Sequence, residues 1–280
     1  MPFINNFFFN LVSKNIRFKD KYKNQSCYII GNGQSIKFFD LKKFSKKKTL
    51  TCSWMYLHND YKHLDVVADL HFHPGIFAPI WKNPYSKKFE LNHKCRNFLR
   101  KTGRLNGNIE LFTSAYHFPF IFRKKKINYL HHFGIKEFLP TKIDPSKEFS
   151  LLYGSLFSLI GLANYMGFSK FYLIGMDYLY INPKNGHFYE FGINNQNANI
   201  KNLYLRRVKK LFKFVSKNLN KKIIIIGTQK SKSKLAENIS YEKKFKSKLD
   251  YKENFQIINK KKLDGLSNIT FEYNIYQNNR

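Results

Sequence analysis

Acidic residues and cysteines are scarce in this chain. Its 280 residues include 18 Asp and Glu against 50 Lys and Arg, which gives a formal net charge of +32. The three cysteines, Cys27, Cys52 and Cys95, contain no CxxC pair. Neither a disulfide framework nor a zinc site is therefore indicated, and we expect a reducing, cytoplasmic compartment.

Long apolar runs are also missing. No stretch of about 18 consecutive uncharged apolar residues occurs, which excludes a membrane-spanning helix. Residues 2–12 are aromatic but interrupted by asparagines, and basic residues follow them instead of preceding them. We therefore expect no secretory signal peptide.

The positive charge first suggests a nucleic-acid partner. A specific binder concentrates Lys and Arg on one face, beside stacking aromatics or a docking motif. Here lysines occur along almost the whole chain, with no zinc-finger spacing and no RNA-binding signature. We therefore predict no nucleic-acid partner. A diffuse positive field still attracts anionic partners such as nucleotides, acidic glycans and anionic lipids.

Strand and helix patterns alternate along the chain, and 43% of the residues are hydrophobic, which is enough for a core. Short apolar runs predict strands at 26–30, 49–54, 64–70, 109–113, 168–174 and 222–227. Apolar spacing predicts helices over 151–166 and 200–219. Four consecutive isoleucines at 223–226 indicate a strand covered on both faces. We predict an α/β fold, a Rossmann-like, doubly wound, mostly parallel sheet with a small lid or sub-domain.

The composition divides the chain into three parts. Residues 1–24 form an aromatic and basic N-terminal segment, and residues 25–230 form the Rossmann-like domain. The basic stretch 82–104 within that domain is expected to form its lid. Residues 231–280 are a lysine-rich C-terminal appendage, with at most one short strand at 269–273.

Ligands of an open parallel sheet bind outside the carboxyl ends of its strands, where the strand order reverses. The sequence Gly31-Asn32-Gly33-Gln34-Ser35 directly follows the first predicted strand. It predicts a tight turn whose backbone N–H groups are free to face an anion at a helix start. Asn32 supplies a donor and an acceptor for a base, a ribose or a phosphate. An ordinary strand-to-helix turn is the alternative interpretation.

Two histidines follow the third predicted strand. Asp69, His71 and His73 alternate along the chain, so their side chains share one face of an extended segment. Such a set could bind zinc, or one histidine could be buried and hydrogen-bonded while the other is exposed. We predict no metal site here, and we expect His131 and His132 to form a surface turn.

A polar, aromatic segment follows the strand at 168–174. Asp177 is accompanied by Tyr178 and Tyr180, and Gly186-His187-Phe-Tyr189-Glu190 comes shortly afterwards. A tyrosine hydroxyl can donate a hydrogen bond to a leaving phosphate, and a histidine can deprotonate an acceptor hydroxyl. The alternative is that Tyr178 and Tyr180 pack under the sheet.

Three blocks of sequence together resemble known families. They are Tyr28-Ile-Ile-Gly-Asn-Gly-Gln-Ser35, the pair Gly154-Ser155 at a helix start, and Gly167-Phe-Ser-Lys-Phe-Tyr-Leu-Ile-Gly-Met-Asp-Tyr178. These blocks resemble the bacterial lipooligosaccharide sialyltransferases of glycosyltransferase family 42. They also resemble the 6-hydroxymethylpterin pyrophosphokinase-like proteins, whose bacterial relatives include flagellin glycosylation factors. The similarity runs in order over 27–227 and is dense only in the first and central blocks.

The sialyltransferase resemblance implies a CMP-activated nonulosonic acid donor, inversion at the anomeric carbon, and no essential metal or other cofactor. By position, Asn32 would contact the donor phosphate or ribose, and Ser155 the donor carboxylate or nucleotide. Tyr189 would stabilise the leaving phosphate, with Tyr178 or Tyr180 as its companion. The expected donor site comprises Gly31, Asn32, Gly33, Ser35, Ser53, Gly154, Ser155 and Asp177.

Three positions depart from the family pattern. Ser53 replaces an asparagine after the second strand, and His73 replaces an asparagine after the third. The family's catalytic histidine follows the tyrosine that matches Tyr189, yet no histidine occurs beyond His187. His187 is therefore our first candidate for the base, and His73 is the second.

The expected function is transfer of sialic acid or a related nonulosonic acid from a CMP donor to a surface glycan or lipooligosaccharide. The expected partners are a nucleotide-sugar donor, a glycan or glycolipid acceptor and an anionic membrane surface. The protein would be cytoplasmic, with a peripheral position on the inner membrane as an alternative. A second hypothesis is diphosphate transfer from ATP, with magnesium held by Asp69 and Asp177. A third is a basic, non-catalytic scaffold bound to membrane or glycan through its N-terminal aromatic segment.

Overall fold

The computed structural model describes residues 2–71, 80–82, 89–91, 109–118, 127–131, 143–150, 154–181, 186–189, 198–251, 255–259 and 262. Five sequence predictions lie wholly or largely outside these residues. They concern His73, Cys95, His132, the lid at 82–104 and the strand at 269–273.

The main sheet has eight strands, all paired in parallel. They are β1 (Ser26–Ile30), β2 (Lys48–Cys52), β3 (Asp65–His71), β6 (Glu110–Ser114), β7 (Ile127–Leu130), β8 (Lys170–Ile174), β9 (Lys222–Gly227) and β10 (Glu237–Ser240). Two further strands, β4 (Ile80–Lys82) and β5 (Phe89–Leu91), pair with each other as an antiparallel hairpin.

The strand order is β10-β9-β8-β1-β2-β3-β6-β7. From β1 the chain moves outward to β7, then returns to β8 on the other side of β1 and moves outward again to β10. The order therefore reverses between β1 and β8, which is the switch point where ligands bind in such sheets. This topology confirms the predicted Rossmann-like, doubly wound α/β fold.

Four α-helices accompany the sheet in the described part of the chain: α1 (Pro2–Ser13), α2 (Gly154–Tyr165), α3 (Ala198–Leu219) and α4 (Tyr241–Phe245). The apolar helix α2 packs on β1, β2 and β3, and α3 packs beside it. A helix that is apolar all round must be covered on all sides, and most of α2 is indeed buried. None of the described helices is both long and apolar enough to cross a bilayer.

The central strands supply two separate cores, one on each face of the sheet. In β9, Ile223 and Ile225 join the core beneath α2 and α3, whereas Ile224 and Ile226 join the core on the other face. This division follows from the alternation of side chains along a strand. It explains the uninterrupted isoleucine run, since each buried isoleucine contributes about 1.5–3 kcal/mol.

The N-terminal segment packs onto the sheet near β7. Two residues of this segment, Val12 and Phe18, are buried. The buried Asn15 side chain donates hydrogen bonds to the carbonyl oxygens of Tyr129 (2.7 Å) and Pro145 (2.8 Å). At the other edge of the sheet, β10 pairs with β9, so the parallel sheet extends beyond residue 230.

One sequence expectation in this region is wrong. His131, predicted to lie in a surface turn, is 2% exposed, and its ring stacks on Phe8 at a centroid distance of 4.4 Å. Helix α1 covers this histidine, and the long-range contact could not be read from the polar local sequence. His132 lies outside the described residues.

Candidate functional site

The turn after β1 lies directly against the turn after β8. The backbone N–H groups of Gly31 and Gly33 donate to the carbonyl oxygens of Ile174 (2.8 Å) and Gly175 (2.8 Å). A Cβ atom on Gly33 would lie 2.6 Å from the carbonyl oxygen of Gly175, so the approach requires glycine. The two turns thus close the carboxyl ends of β1 and β8 at the switch point.

A serine and an aspartate join these turns. The backbone N–H of Ser35 donates to Oδ2 of Asp177 (2.7 Å), and the Ser35 hydroxyl donates to Oδ1 (2.5 Å). Asp177 is 2% exposed, and hydrogen bonds reach both of its carboxylate oxygens. This pair holds the turn in place, and a direct role of either residue in donor binding stays a prediction.

The backbone N–H groups expected to be free in the glycine turn are occupied at three of its five residues. Those of Gly31, Gly33 and Ser35 are all occupied by protein acceptors. The following segment 34–38 is a short 3-10 helix of 5 residues. The N–H groups of Gly31, Gly33 and Ser35 therefore join the turn after β1 to the turn after β8 and do not face a ligand.

Asn32 is the polar side chain at the centre of the turn. Its Nδ2 group donates to the carbonyl oxygen of Cys52 (3.2 Å), and its own backbone carbonyl accepts from the N–H of Phe188 (2.8 Å). Because a carbonyl oxygen can only accept, the contact with Cys52 fixes which end of the amide is nitrogen. The remaining Asn32 oxygen, Oδ1, is buried and has no hydrogen-bond partner among the described residues.

The segment 186–189 runs alongside the glycine turn. His187 forms an antiparallel bridge with Gly33, and the His187 ring stacks on Tyr189 at 5.1 Å with an interplanar angle of 6°. Tyr189 is 1% exposed. The structure therefore brings two predicted catalytic residues to the turn that contains Asn32.

The two companion tyrosines occupy different environments. The Tyr180 hydroxyl donates to the carbonyl oxygen of Ile226 (3.3 Å), and burial, together with the charge of Asp177, raises the pKa of Tyr180 far above its usual range. The Tyr178 hydroxyl lies 3.6 Å from the sulfur of Met176, which is a weak acceptor. Tyr180 thus matches the alternative of a tyrosine packed against the sheet.

The end of β2 meets the start of α2. Ser53 follows β2 with a left-handed backbone (φ 52°), and Gly154 begins α2 with φ 79°. Burial raises the pKa of the Cys52 thiol to about 12, and the side chain of Ser155 lies close enough to that thiol to lower its pKa slightly. The positive end of the α2 dipole therefore lies close to the Asn32–Cys52 contact.

A buried polar network extends from the end of β2 to β3, and it contains His71 as the buried, hydrogen-bonded histidine that was one of the two sequence interpretations. The Thr51 hydroxyl donates to Oδ1 of Asp69 (2.9 Å), and Nε2 of His71 lies 3.0 Å from Oδ2 of the same carboxylate. Thr51 and Asp69 are register partners in neighbouring strands. No signal in a single sequence reveals such a pair, since it depends on the register between two strands.

Across the described ranges, no group of three or more His, Cys, Asp and Glu side chains could hold a metal ion. The structure brings together Gly31, Asn32, Gly33, Ser35, Asp177, Tyr178, His187 and Tyr189, with Ser53, Gly154 and Ser155 at the adjoining strand end. His73 lies outside the described residues.

Comparisons with known proteins give likenesses in structure alone. No protein-family model matches the chain, and no curated protein matches it. Two similar solved structures are the sialyltransferase CstII from Campylobacter jejuni in complex with CMP-3FNeuAc and with cytidine-5'-monophosphate. Each shares 16% identity and covers 72% of this chain and 80% of that chain, with TM-scores of 0.38 and 0.39. A variant of the alpha-2,3/8-sialyltransferase CstII shares 18% identity over 72% of this chain and 81% of that chain, with a TM-score of 0.40. The strand order of this chain, rather than these likenesses, defines its fold.

Proposed function

We propose that this protein is a glycosyltransferase that transfers sialic acid or a related nonulosonic acid from a CMP-activated donor to a surface glycan or lipooligosaccharide. The supporting observation is that sequence blocks far apart in the chain meet at one point. The turn 31–35, the turn 175–177 and the segment 186–189 contact one another at the switch point of the sheet. The first two of these segments belong to the blocks whose order resembles that of the sialyltransferases.

Asn32 is the residue on which donor binding depends in this proposal. Its unpartnered Oδ1 is an acceptor, so a ligand must bring a hydroxyl or amino hydrogen to it. A ribose hydroxyl, a sugar hydroxyl or the amino group of cytosine meets this requirement, whereas a fully ionised phosphate does not. This oxygen therefore favours the ribose over the phosphate as the partner of Asn32.

The residues of the segment 186–189 and the neighbouring turn would carry out the transfer. His187 takes the proton from the acceptor hydroxyl, whose oxygen attacks the anomeric carbon of the donor sugar. The bond from that carbon to the phosphate oxygen breaks, and CMP leaves. Tyr189 and Tyr178 donate hydrogen bonds to the departing phosphate. Tyr178 is the better companion because the Tyr180 proton is held by Ile226.

Thermal unfolding in the presence of nucleotides tests the proposal. We expect CMP to raise the melting temperature, because a ligand present at 100 times its Kd and bound only by the native state stabilises it by about 2.7 kcal/mol. UDP, GDP and ATP with magnesium are measured alongside. No response to CMP would overturn the proposal, and a response confined to ATP with magnesium would favour diphosphate transfer.

Three variants assign the roles within the site. Asn32→Ala removes the unpartnered oxygen and should abolish the response to CMP, whereas Gln34→Ala in the same turn should keep it. His187→Ala should keep the response to CMP but lose the release of CMP from CMP-sialic acid in the presence of glycan acceptors. A His187→Ala variant with full transfer activity would remove this residue from the mechanism.

A further inference from the structure

A C-terminal segment packs against the turns that follow β2. It comprises residues 255–259 and Lys262, and we call it the C-terminal strap. The strap lies against residues 56–59, where Ile258 forms an antiparallel bridge with His58. Ile258 is 5% exposed. The strap therefore contributes a side chain to the core close to the candidate site.

Hydrogen bonds hold the strap on both sides of this bridge. The backbone N–H of Asn259 donates to the carbonyl oxygen of Leu57 (2.8 Å). The Asn59 side chain donates to the carbonyl oxygen of Gln256. These contacts fix the register of the strap on the turn, so that Ile258 is placed at His58 and at no neighbouring residue.

Lys262 adds a contact that involves a charge. Its Nζ donates to the carbonyl oxygen of Tyr56 (2.8 Å) and lies 5.7 Å from the centroid of the Tyr56 ring and 6.0 Å from that of Tyr61. Burial lowers the pKa of Lys262. The carbonyl oxygen and the two aromatic rings thus hold the ammonium group in place.

His58 lies between the strap and the segment 186–189. Its backbone bridges Ile258, whereas its ring lies 5.7 Å from that of Phe188. Phe188 is 0% exposed, and Ile258 belongs to the same core as Phe188 and Tyr189. The strap therefore takes part in the packing that holds the segment with the two candidate catalytic residues.

The segment 186–189 depends on such packing because it belongs to no helix or strand. Its described backbone contacts are the bridge from His187 to Gly33 and the hydrogen bond from the Phe188 N–H to the carbonyl oxygen of Asn32 (2.8 Å). A segment with few backbone hydrogen bonds opens locally at a low cost in free energy. The burial of its side chains therefore decides how firmly it is held.

We propose that Ile258 is a positioning residue for the candidate site, and that it acts through His58 and Phe188 on His187 and Tyr189. Its side chain packs beside His58 and so keeps the Phe188 ring, and with it the two neighbouring residues, in one position. Catalytic groups must be held to within about 0.5 Å of their working geometry. The order of the segment is a property of the fold, whereas its effect on transfer rests on the proposed function.

Hydrogen exchange followed by mass spectrometry tests this coupling without any substrate. The quantity measured is the exchange rate of the peptide that contains Phe188, divided by that of the peptide that contains β9. We expect Ile258→Ala to raise this ratio at least about 10-fold, because the local support of the segment is lost. The control Leu211→Ala removes a similarly buried side chain from α3, on the other face of the sheet, and should not raise the ratio.

Two outcomes of the exchange experiment would overturn the proposal. They are an unchanged ratio in Ile258→Ala and an equal rise in Ile258→Ala and Leu211→Ala. If Ile258→Ala does not fold, Lys262→Met takes its place, because it removes the contact with Tyr56 and keeps the length of the side chain. Its expected rise in the ratio is at least about 3-fold, and no rise would overturn the proposal equally.

Transfer kinetics test the positioning role itself. Ile258→Ala should lower kcat at least about 10-fold and change the KM for the CMP donor less than about 3-fold, since misplaced catalytic groups weaken contacts made in the transition state. Ile258→Val should restore both kcat and the exchange ratio to near the wild-type values. An equal loss of kcat in Leu211→Ala would contradict the positioning role, because stability would then account for it.

The two readouts separate this inference from the proposed function. A wild type that does not respond to CMP would remove the proposed function and leave the exchange result standing. A wild type that responds to CMP, together with an Ile258→Ala variant of unchanged exchange ratio and unchanged kcat, would remove this inference alone.

Discussion

His58 is a buried histidine near the candidate site, and it makes the stability of the protein depend on pH. Its side chain is 0% exposed, and its Nδ1 accepts a hydrogen bond from the backbone N–H of Asp60 (3.1 Å). The His58 ring lies 5.7 Å from that of Phe188, next to the segment that contains His187 and Tyr189. Burial lowers the pKa of His58 from 6.5 to about 3.

The direction and size of the effect follow from this lowered pKa. The folded protein keeps His58 neutral between pH 6.5 and about pH 3, whereas the unfolded chain binds the proton in that range. The free energy of unfolding therefore decreases as the pH falls below 6.5, and the loss is complete below about pH 3. Between pH 7.5 and pH 4.5 we expect His58 to account for a loss of roughly 3 kcal/mol.

Urea unfolding at pH 7.5 and at pH 4.5, on the wild type and on His58→Asn, measures this loss. Asparagine does not titrate, and its side-chain oxygen can replace Nδ1 as the acceptor for Asp60. The wild type should lose roughly 3 kcal/mol more than His58→Asn between the two pH values. Equal losses in both proteins would refute the reasoning. A Gln substitution at the exposed His63 is the control and should leave the wild-type profile unchanged.

Two other predictions concern the turns and the cysteines. Gly33→Ala would place its Cβ 2.6 Å from the carbonyl oxygen of Gly175. We therefore expect this variant to lower the free energy of unfolding by about 1–3 kcal/mol and to weaken any response to CMP. Thermal unfolding measures both effects, with Gln34→Ala as the control. Burial raises the pKa of the Cys27 and Cys52 thiols. Iodoacetamide at pH 8 should therefore label neither thiol in the native protein and both in urea, as mass spectrometry of their peptides can show. Labelling of either thiol in the native protein would contradict the described core.

The sequence predicts the middle of the sheet better than its edges. A strand buried on both faces is a continuous apolar run, as in β9, and such runs are easy to recognise. The edge strands β7 and β10 have the sequences INYL and ENIS, and β10 is partly or fully exposed along its length. Their pairing depends on the neighbouring strands, so their local sequences are indistinguishable from those of loops.

The candidate site was predictable in its members but not in its hydrogen bonds. Asn32 and Asp177 follow glycine-marked strand ends, and His187 follows Gly186 in the segment beyond β8. The topology brings these three residues together. That the N–H groups of Gly31, Gly33 and Ser35 are occupied could not be predicted, since it depends on how closely β1 approaches β8. The pairing of Thr51 with Asp69 depends on register in the same way.

The strand β1 has neighbours from opposite halves of the chain, because β2 begins at residue 48 and β8 at residue 170. A nascent chain that has reached β7 can assemble the half-sheet β7-β6-β3-β2-β1, with one side of β1 open. Unpaired strand edges are templates for association with other chains. We therefore expect fragments that stop before residue 170 to aggregate, and the arrival of β8 to end this exposure. The same event delivers Gly175 and Asp177 to the glycine turn, so maturation of the ligand crevice and protection from aggregation occur in a single step of synthesis.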